Sequence, residues 1–224
     1  MICLEALSIA AMLHPMRITS LFMVLACQMA HTVLAAEPAA PGGKPELFLM
    51  LPEPRAMGSD TSKNHAGSKT TVFTPAREND NGHGIRPYTA AEFAKLGISW
   101  ETFLERAQAT ADKRLAAMQP EWKKDEAGQV LYAVFHSDDP GMAAILLAPS
   151  LAHIFKKVFP DGVWLAAPNR NTLYVFPAKP ELVESFAENL KAMFDENPFA
   201  ASDEIFALKD GGDPLRVVAS FKGH

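Results

Sequence analysis

Cysteine is almost absent from this chain of 224 residues, which contains only Cys3 and Cys27. Both lie close to the amino terminus, so removal of a leader segment would leave no thiol in the protein. A disulfide framework, a cysteine nucleophile and a cysteine-ligated zinc would then be excluded. The chain also lacks H-E-x-x-H, G-x-S-x-G, P-loop and G-x-G-x-x-G motifs. These absences favour a binding or interaction role over an enzyme.

An excess of basic residues is also missing, because 21 Lys and Arg face 26 Asp and Glu for a net charge of −5. Nucleic-acid binding usually requires a basic face, so we expect no nucleic-acid partner. Hydrophobic residues make up 48% of the chain, and a chain of this length can bury a core without a metal or a disulfide. We therefore expect no cofactor and no structural metal.

The amino-terminal segment, residues 1–36, carries only two formal charges, Glu5 and Arg17. An apolar run follows Arg17 and ends in small residues at Ala35 and Ala36. A basic start, an apolar stretch and small residues at its end are typical of a secretory signal peptide. The sequence predicts cleavage near Ala35 or Ala36 and a periplasmic or secreted protein.

Two alternatives for this segment stay open. An uncleaved apolar run is long enough for a tilted membrane span, although Gln28 and His31 lie within it. A lipoprotein attached at Cys27 is the second alternative, since a small residue precedes that cysteine. The true start, Met1 or Met16, is also open. Any membrane association is expected only through an uncleaved or lipidated amino terminus.

Residues 37–88 are rich in proline and glycine, which interrupt regular structure repeatedly. We interpret this region as a tether that links the signal to a single domain over residues 89–224. Two short apolar runs, residues 47–51 and 70–74, are possible edge strands of that domain. The polar stretch between them, residues 58–69, is expected to be mobile.

Within residues 89–224 the patterns predict regular elements. Thr89 and Glu92 form a capping box, and Ser99 caps a second helix with an apolar stripe. Residues 130–135 predict a central strand covered on both faces. Residues 140–158 predict helix with a break near Pro149, although residues 143–147 fit a strand equally well.

The remaining elements are two hairpins with a helix between them. The hairpins pair residues 163–167 with 172–176 and residues 204–208 with 215–221, and the helix begins at Pro180. The predicted order is α-α-β-α-β-β-α-β-β. The fold class is α+β, with a mainly antiparallel sheet and helices packed on it.

This order and several short motifs resemble the bacterial YtpQ-like domain of unknown function. One of them, around Arg170, is similar to that family's "P-x-R-D-x-L" hairpin, although Asn171 replaces the aspartate. The resemblance covers roughly residues 88–224, and it implies a fold more than a reaction. The motifs that carry it are residues 88–92, 96–100, 138–139, 146–147, 167–173 and 197–206.

Two groups of polar residues are candidates for a binding site. His136, Asp138 and Asp139 follow a predicted strand and precede a predicted helix, where sites in α/β arrangements are built. A histidine with two carboxylates suits a divalent metal or acid–base chemistry. Helix capping and turn formation by Asp138 and Asp139 explain the same residues without any site.

The second group is Asn169, Arg170 and Asn171, a polar tip between two apolar strands. Arg170 is suited to hold a carboxylate or a phosphate. The alternative is a hairpin turn in which Arg170 pairs with Asp138, Asp139 or Asp161.

These observations predict an exported cell-envelope protein whose domain binds a protein or a small molecule and performs no catalysis. The alternative is a small envelope hydrolase, with or without the assistance of a metal ion, that uses His136, Asp138, Asp139 and Arg170.

Overall fold

A computed structural model describes residues 45–81, 84–211 and 214–223. The predicted signal peptide, its cleavage position and Cys27 lie outside these residues and stay predictions. The α-helices are α1 (Ala90–Lys95), α2 (Trp100–Ala116), α3 (Leu151–Phe155) and α4 (Pro180–Asp195), and short 3₁₀ helices cover Arg55–Met57 and Met142–Leu147. The strands are β1 (Leu49–Pro54), β2 (Lys63–Asn64), β3 (Thr71–Glu78), β4 (Ile85–Pro87), β5 (Glu121–Lys124), β6 (Val130–His136), β7 (Val163–Asn169), β8 (Thr172–Pro177), β9 (Glu204–Leu208) and β10 (Arg216–Ser220).

The strands form two antiparallel sheets. A six-stranded sheet has the order β10-β9-β7-β8-β6-β5. In a four-stranded sheet, β3 pairs with β1 on one side and with β2 and β4 on the other. Helices accompany both sheets, so the predicted α+β class with a mainly antiparallel sheet is confirmed.

The six-stranded sheet is covered on both faces. On one face lie α2, α3 and the 3₁₀ helix Met142–Leu147, together with part of the four-stranded sheet, and they bury Phe103, Phe135 and Phe155. The apolar side of α4 covers the other face against Phe176 and Ile205. The larger core therefore lies between the two sheets and the helices that accompany them.

Part of the segment that the sequence suggested as a tether is folded. The two apolar runs lie in β1 and β3, which pair with each other rather than at an edge of the six-stranded sheet. Leu49, Leu51 and Phe73 are buried. The prolines fit this sheet because β1 is an edge strand, and Pro75 lies between the β3 residues that pair with β2 and those that pair with β4. The polar stretch 58–69 is likewise tied down by β2 and by hydrogen bonds described below.

Several predicted helix features are confirmed. The side chain of Thr89 accepts the backbone amide of Glu92, and Glu92 reaches back to Thr89. Ser99 caps α2, whose residues Phe103 and Leu115 are buried. Arg86 of β4 binds the carboxylate of Glu92, and this hydrogen bond is the main reason that the pKa of Glu92 falls to about 2.

The helical alternative holds for residues 143–147, which lie in a 3₁₀ helix that ends before Pro149. Other predictions need correction. Strand β6 is covered on both faces only in its middle, where Phe135 is buried and Tyr132 contacts Phe186 of α4, whereas Leu131 and His136 near its ends are exposed. The sequence missed β5, because four residues with three charges show no apolar alternation. The described residues contain no helix that is both long and apolar enough to cross a bilayer.

Candidate functional site

The turn between β7 and β8 carries Asn169, Arg170 and Asn171. The Oδ1 atom of Asn169 accepts the backbone N–H of Asn171 at 3.0 Å, which closes a local turn. The Nδ2 atom of Asn171 donates to the carbonyl oxygen of Ser137 at 2.8 Å, and the backbone N–H of Ser137 donates to the carbonyl oxygen of Asn171 at 3.1 Å. Both asparagines therefore hold the turn and join it to the end of β6.

The side chain of Arg170 points to a partner that the sequence did not suggest. Its Nη2 atom donates to Oε1 of Glu53 on β1, and the two groups form an ion pair. Only 13% of the Arg170 side chain and 2% of the Glu53 side chain are exposed. The guanidinium also lies 5.9 Å from the ring centre of Phe199. Because its charge is matched by a buried carboxylate, Arg170 is a weak candidate for holding a ligand anion.

A chain of polar groups continues from this ion pair into the four-stranded sheet. The hydroxyl of Thr74 donates to Oε2 of Glu53 at 2.5 Å, and Ser62 Oγ lies 2.7 Å from Thr74 Oγ1. The Nε atom of Arg170 is buried and has no hydrogen-bond partner within residues 45–81, 84–211 and 214–223. Both carboxylate oxygens of Glu53 therefore accept hydrogen bonds, whereas the guanidinium of Arg170 keeps one buried nitrogen unpaired within this part of the chain.

His136, Asp138 and Asp139 lie within four residues of one another but make separate contacts. Nδ1 of His136 lies 3.2 Å from Oγ1 of Thr172 on the neighbouring strand. Oδ1 of Asp139 accepts the backbone N–H of Gly141 at 2.8 Å, which supports the turn interpretation. Asp138 is exposed and has no hydrogen bond or ion pair within the described residues.

The other carboxylate oxygen of Asp139 accepts a hydrogen bond from Nη1 of Arg114 in α2. The same guanidinium donates through Nε to Glu46 at 2.6 Å and through Nη2 to Glu78 at 2.7 Å. Burial opposes the charge of Arg114, but the three carboxylates outweigh it and raise the pKa of Arg114 above its ordinary value. Asp139 thus contributes to an arginine-centred cluster rather than to a site with Arg170.

Besides the Arg170–Glu53 and Asp139–Arg114 ion pairs, a third polar connection starts at Glu204, the first residue of β9. Oε1 of Glu204 accepts the backbone N–H of Lys69 at 2.6 Å and that of Thr70 at 3.3 Å, and Oε2 accepts the hydroxyl of Ser68 at 2.5 Å. Burial alone would raise the pKa of Glu204, but these hydrogen bonds hold it below its ordinary value. Beside them, the hydroxyls of Thr71 and Ser202 lie 2.6 Å apart.

These three connections lie at one end of the six-stranded sheet, where β7 and β6 end and β8 and β9 begin. We call them the polar seam, because each joins that end to the four-stranded sheet, to the loop between β2 and β3, or to α2. The seam consists of Arg170–Glu53, Asp139–Arg114 with Glu46 and Glu78, and Glu204 with residues 68–70.

The structure therefore does not assemble the predicted hydrolase site. Arg170 binds Glu53 and Asp139 binds Arg114, while His136 and Asp138 contact neither guanidinium. The interpretation of Arg170 as the partner of Asp138, Asp139 or Asp161 also needs correction, since its partner is Glu53. Within the described parts of the chain, no group of three or more His, Cys, Asp or Glu side chains is arranged to hold a metal ion.

Sequence reasoning missed the residues that decide these contacts. Glu53 is 117 residues from Arg170, and Ser68 is 136 residues from Glu204. Arg114 lies on a helix that the sequence showed only as an apolar stripe. The sequence offered one signal for such partners, namely a charged residue within an apolar run. Glu53 is an example, since it lies in the apolar and proline-rich strand β1.

The opposite end of the six-stranded sheet is open. Three adjoining clefts of about 320, 240 and 360 Å³ run past the start of β6, the start of β7 and the end of β8. The first and second clefts share residues 159–162, and the second and third share Val130 and Pro177. We call this continuous depression the distal groove.

The floor and rim of the distal groove differ in chemistry. Val130, Phe159 and Pro177 supply apolar surface in the middle. On the rim, Lys156 pairs with Asp210 at 2.8 Å, and the hydrogen bond from Lys156 lowers the pKa of Asp210. Four other charged rim residues make no ion pair within the described residues, namely Asp161, Lys179, Glu181 and Lys209.

Comparisons of this chain with protein-family models, curated proteins and solved structures found no match. The resemblance to the YtpQ-like family therefore stays a prediction from short motifs.

Proposed function

We propose that this protein is an exported, non-catalytic binding domain of the cell envelope that takes its partner in the distal groove. The observation that carries the proposal is the contrast in how polar groups are used. Arg170 and Asp139, the charged candidates at the polar seam, have internal partners. The rim of the distal groove, by contrast, offers Asp161, Lys179 and Lys209 without such partners.

The dimensions of the groove support a ligand of modest size. Pockets for small molecules usually enclose about 300–1,000 Å³ and combine apolar walls with a few polar groups. The first and third clefts reach the lower part of that range. Apolar surface on the floor and opposite charges on the rim suit a small amphipathic molecule or a short peptide segment.

Native mass spectrometry of the protein from its own envelope fraction tests the proposal, with the amino terminus read on the denatured chain. A retained molecule or partner chain is the expected result. Ser185 supplies matched variants, because it lines the third cleft and its hydroxyl donates to the carbonyl oxygen of Leu182 at 2.6 Å. Ser185→Trp fills the cleft, whereas Ser185→Ala removes the same hydrogen bond and leaves the cleft open.

The proposal predicts that Ser185→Trp lowers the retained ligand strongly and that Ser185→Ala does not. Equal retention by both variants would place the binding surface elsewhere. A chain that carries nothing, even when isolated under gentle conditions, would count against a stable binding role.

A further inference from the structure

The two outer edges of the six-stranded sheet differ in how they are protected. Strand β10 has a register shift between Val217 and Ala219, which disrupts a flat edge. The chain beside β10 approaches it, since Nε2 of His65 lies 2.7 Å from the carbonyl oxygen of Leu215 and Gly67 faces the strand across a small cleft. Among the described residues, strand β5 pairs only with β6, so its outer edge is open. The register of this pairing also shifts, between Lys123 and Lys124, but the extra residue is Leu131 of β6 and not a residue of β5.

An apolar surface adjoins this open edge. Trp122 of β5 is 37% exposed, and its ring centre lies 5.3 Å from that of Phe155 in α3. Ile154, next to Phe155 in the chain, is 42% exposed, and Val158, three residues further on and also in the lining of the second cleft, is 40% exposed. Isolated exposed apolar residues are common, but three on adjoining elements beside a free strand edge indicate a contact surface.

The two faces of β5 carry different chemistry. Trp122 lies opposite Ala133, a residue of the larger core, so its side chain is on the face covered by α3. Glu121 lies opposite Val134 and Lys123 opposite Tyr132, so both charges are on the other face, where they form an ion pair. Trp122 is therefore flanked by one acidic residue, Glu121, and one basic residue, Lys123, each one position away in the strand.

This arrangement is self-complementary under a two-fold axis. We propose that a second copy of this chain pairs with β5 in antiparallel orientation, with Trp122 of both copies at the two-fold axis. A two-fold axis perpendicular to the sheet pairs residues that share a face, so Trp122 meets Trp122 and Glu121 meets Lys123 of the other copy. The two six-stranded sheets join into one continuous sheet.

Charge selects this register over its neighbours. A pairing centred on Lys123 places two lysines opposite each other and Glu121 opposite Asp125, which is unfavourable in both positions. A pairing centred on Glu121 places two glutamates opposite each other. Of these three pairings, the one centred on Trp122 alone sets opposite charges against each other twice, and it brings the two tryptophans together.

The lysines of β5 fit this proposal. Charged residues on short edge strands, lysine above all, prevent unspecific pairing with other chains. The charge of Lys123 disfavours pairing with a strand that has no acidic residue opposite it. A second copy of this chain places Glu121 opposite Lys123. The proposed dimer surface is centred on β5 at the sheet edge and adjoins the distal groove at Val158, which also lines the second cleft. The charge reversals at Glu121 and Lys123 alter residues that do not line the groove, so they test the dimer separately from the proposed function.

Sedimentation velocity over a concentration series tests the dimer. The wild-type chain is expected to show a monomer–dimer equilibrium. Glu121→Lys or Lys123→Glu places like charges across the interface, and each is expected to raise the dimer dissociation constant by about tenfold or more. The double variant Glu121→Lys with Lys123→Glu is expected to recover wild-type association.

Two controls separate the interface from folding. Lys191→Glu breaks an ion pair with Asp195, at 3.0 Å on the surface of α4, and should leave association unchanged. Trp122→Glu should abolish the dimer, whereas Val218→Glu on β10, where Val218 is 42% exposed, should not. Far-UV circular dichroism checks that each variant is folded.

A wild-type chain that stays monomeric at its highest soluble concentration would overturn the proposal. So would a dimer that survives both charge reversals at wild-type strength, or one that Val218→Glu removes and Trp122→Glu leaves intact.

Discussion

The two ends of the six-stranded sheet use charged side chains in opposite ways. At the polar seam, Arg170, Asp139 and Glu204 are bound to residues far away in the chain. At the distal groove, Lys156 and Asp210 form one exposed pair and Lys209 has no ion-pair partner within the described residues. Strand-end residues of the same chemical types thus hold two sheets together at one end and line an open surface at the other.

The comparison teaches that polar residues at strand ends are not by themselves evidence of a site. What separates the two ends is the presence of the four-stranded sheet. Where it covers the strand ends, buried charges need partners, and Glu53 and residues 68–70 supply them. Where it does not, the charges stay at the surface and a depression remains.

The largest expected effect comes from breaking the buried ion pair of the seam. Glu53→Gln leaves the guanidinium of Arg170 without its counter-charge, and removal of one partner of a buried pair costs about 3–5 kcal/mol. We expect the free energy of unfolding, measured by urea titration, to fall by that amount. The double variant Glu53→Met with Arg170→Met should recover a large part of the loss, because it leaves no unpaired charge.

Exposed ion pairs contribute less than about 1 kcal/mol to the free energy of unfolding, and Glu53→Gln could cost as little. That result would show that the two ends do not differ in the way described.

A smaller effect is expected from acid at the third connection of the seam. The folded-state pKa of Glu204 is lowered from its ordinary value of 4.5. A group with a lowered folded pKa stabilises the fold fully above its unfolded pKa and loses that contribution as the pH falls through the folded pKa. We therefore expect the free energy of unfolding to decrease below about pH 4.5 in part through Glu204.

Urea titrations at a series of acidic pH values measure this effect. Glu204→Gln should weaken the acid dependence and lower stability at neutral pH by about 1–2 kcal/mol, since the hydrogen bonds then lose their charged acceptor. Ser68→Ala should shift the acid limb of the stability curve to higher pH, because it removes a hydrogen bond that favours the ionised form. An unchanged acid limb in both variants would contradict the role given to Glu204.

The smallest effect is expected at the distal groove. Asp210→Asn removes the partner of Lys156, and this pair is exposed to solvent and screened by salt. The urea midpoint should therefore stay within the error of the wild-type measurement. A clear drop in the midpoint would mean that the distal end is held together electrostatically, as the seam is.

Local patterns predicted much of the fold between residues 89 and 221. Capping at Thr89 and Ser99, the proline that opens α4 and the two hairpins depend on neighbouring residues, so the sequence alone reveals them. Strand β5 was missed because its stability comes from pairing with β6 rather than from its own composition. The proline-rich segment was misjudged for the same reason, since β1 and β3 support each other across a separation that local patterns do not span.

The candidate site could be predicted only in its residue types. The sequence placed Arg170 and Asp139 correctly at a turn and a strand end. It could not identify their partners, because Glu53 and Arg114 are brought close by the packing of separate elements. The distal groove had no sequence signal, since its lining comes from the loops and strand ends around Val130, Phe159, Pro177 and Lys209.

The sequence by itself determined most of the helices and strands between residues 89 and 221, because capping, proline placement and apolar periodicity act within a few residues. Tertiary structure decided what the charged residues do, because the free energy of a charge depends on its burial and on the partner that faces it. Arg170 shows the difference most clearly. Its position at the tip of a hairpin could be derived from the sequence, but its pairing with Glu53 exists only because a second sheet packs against that hairpin.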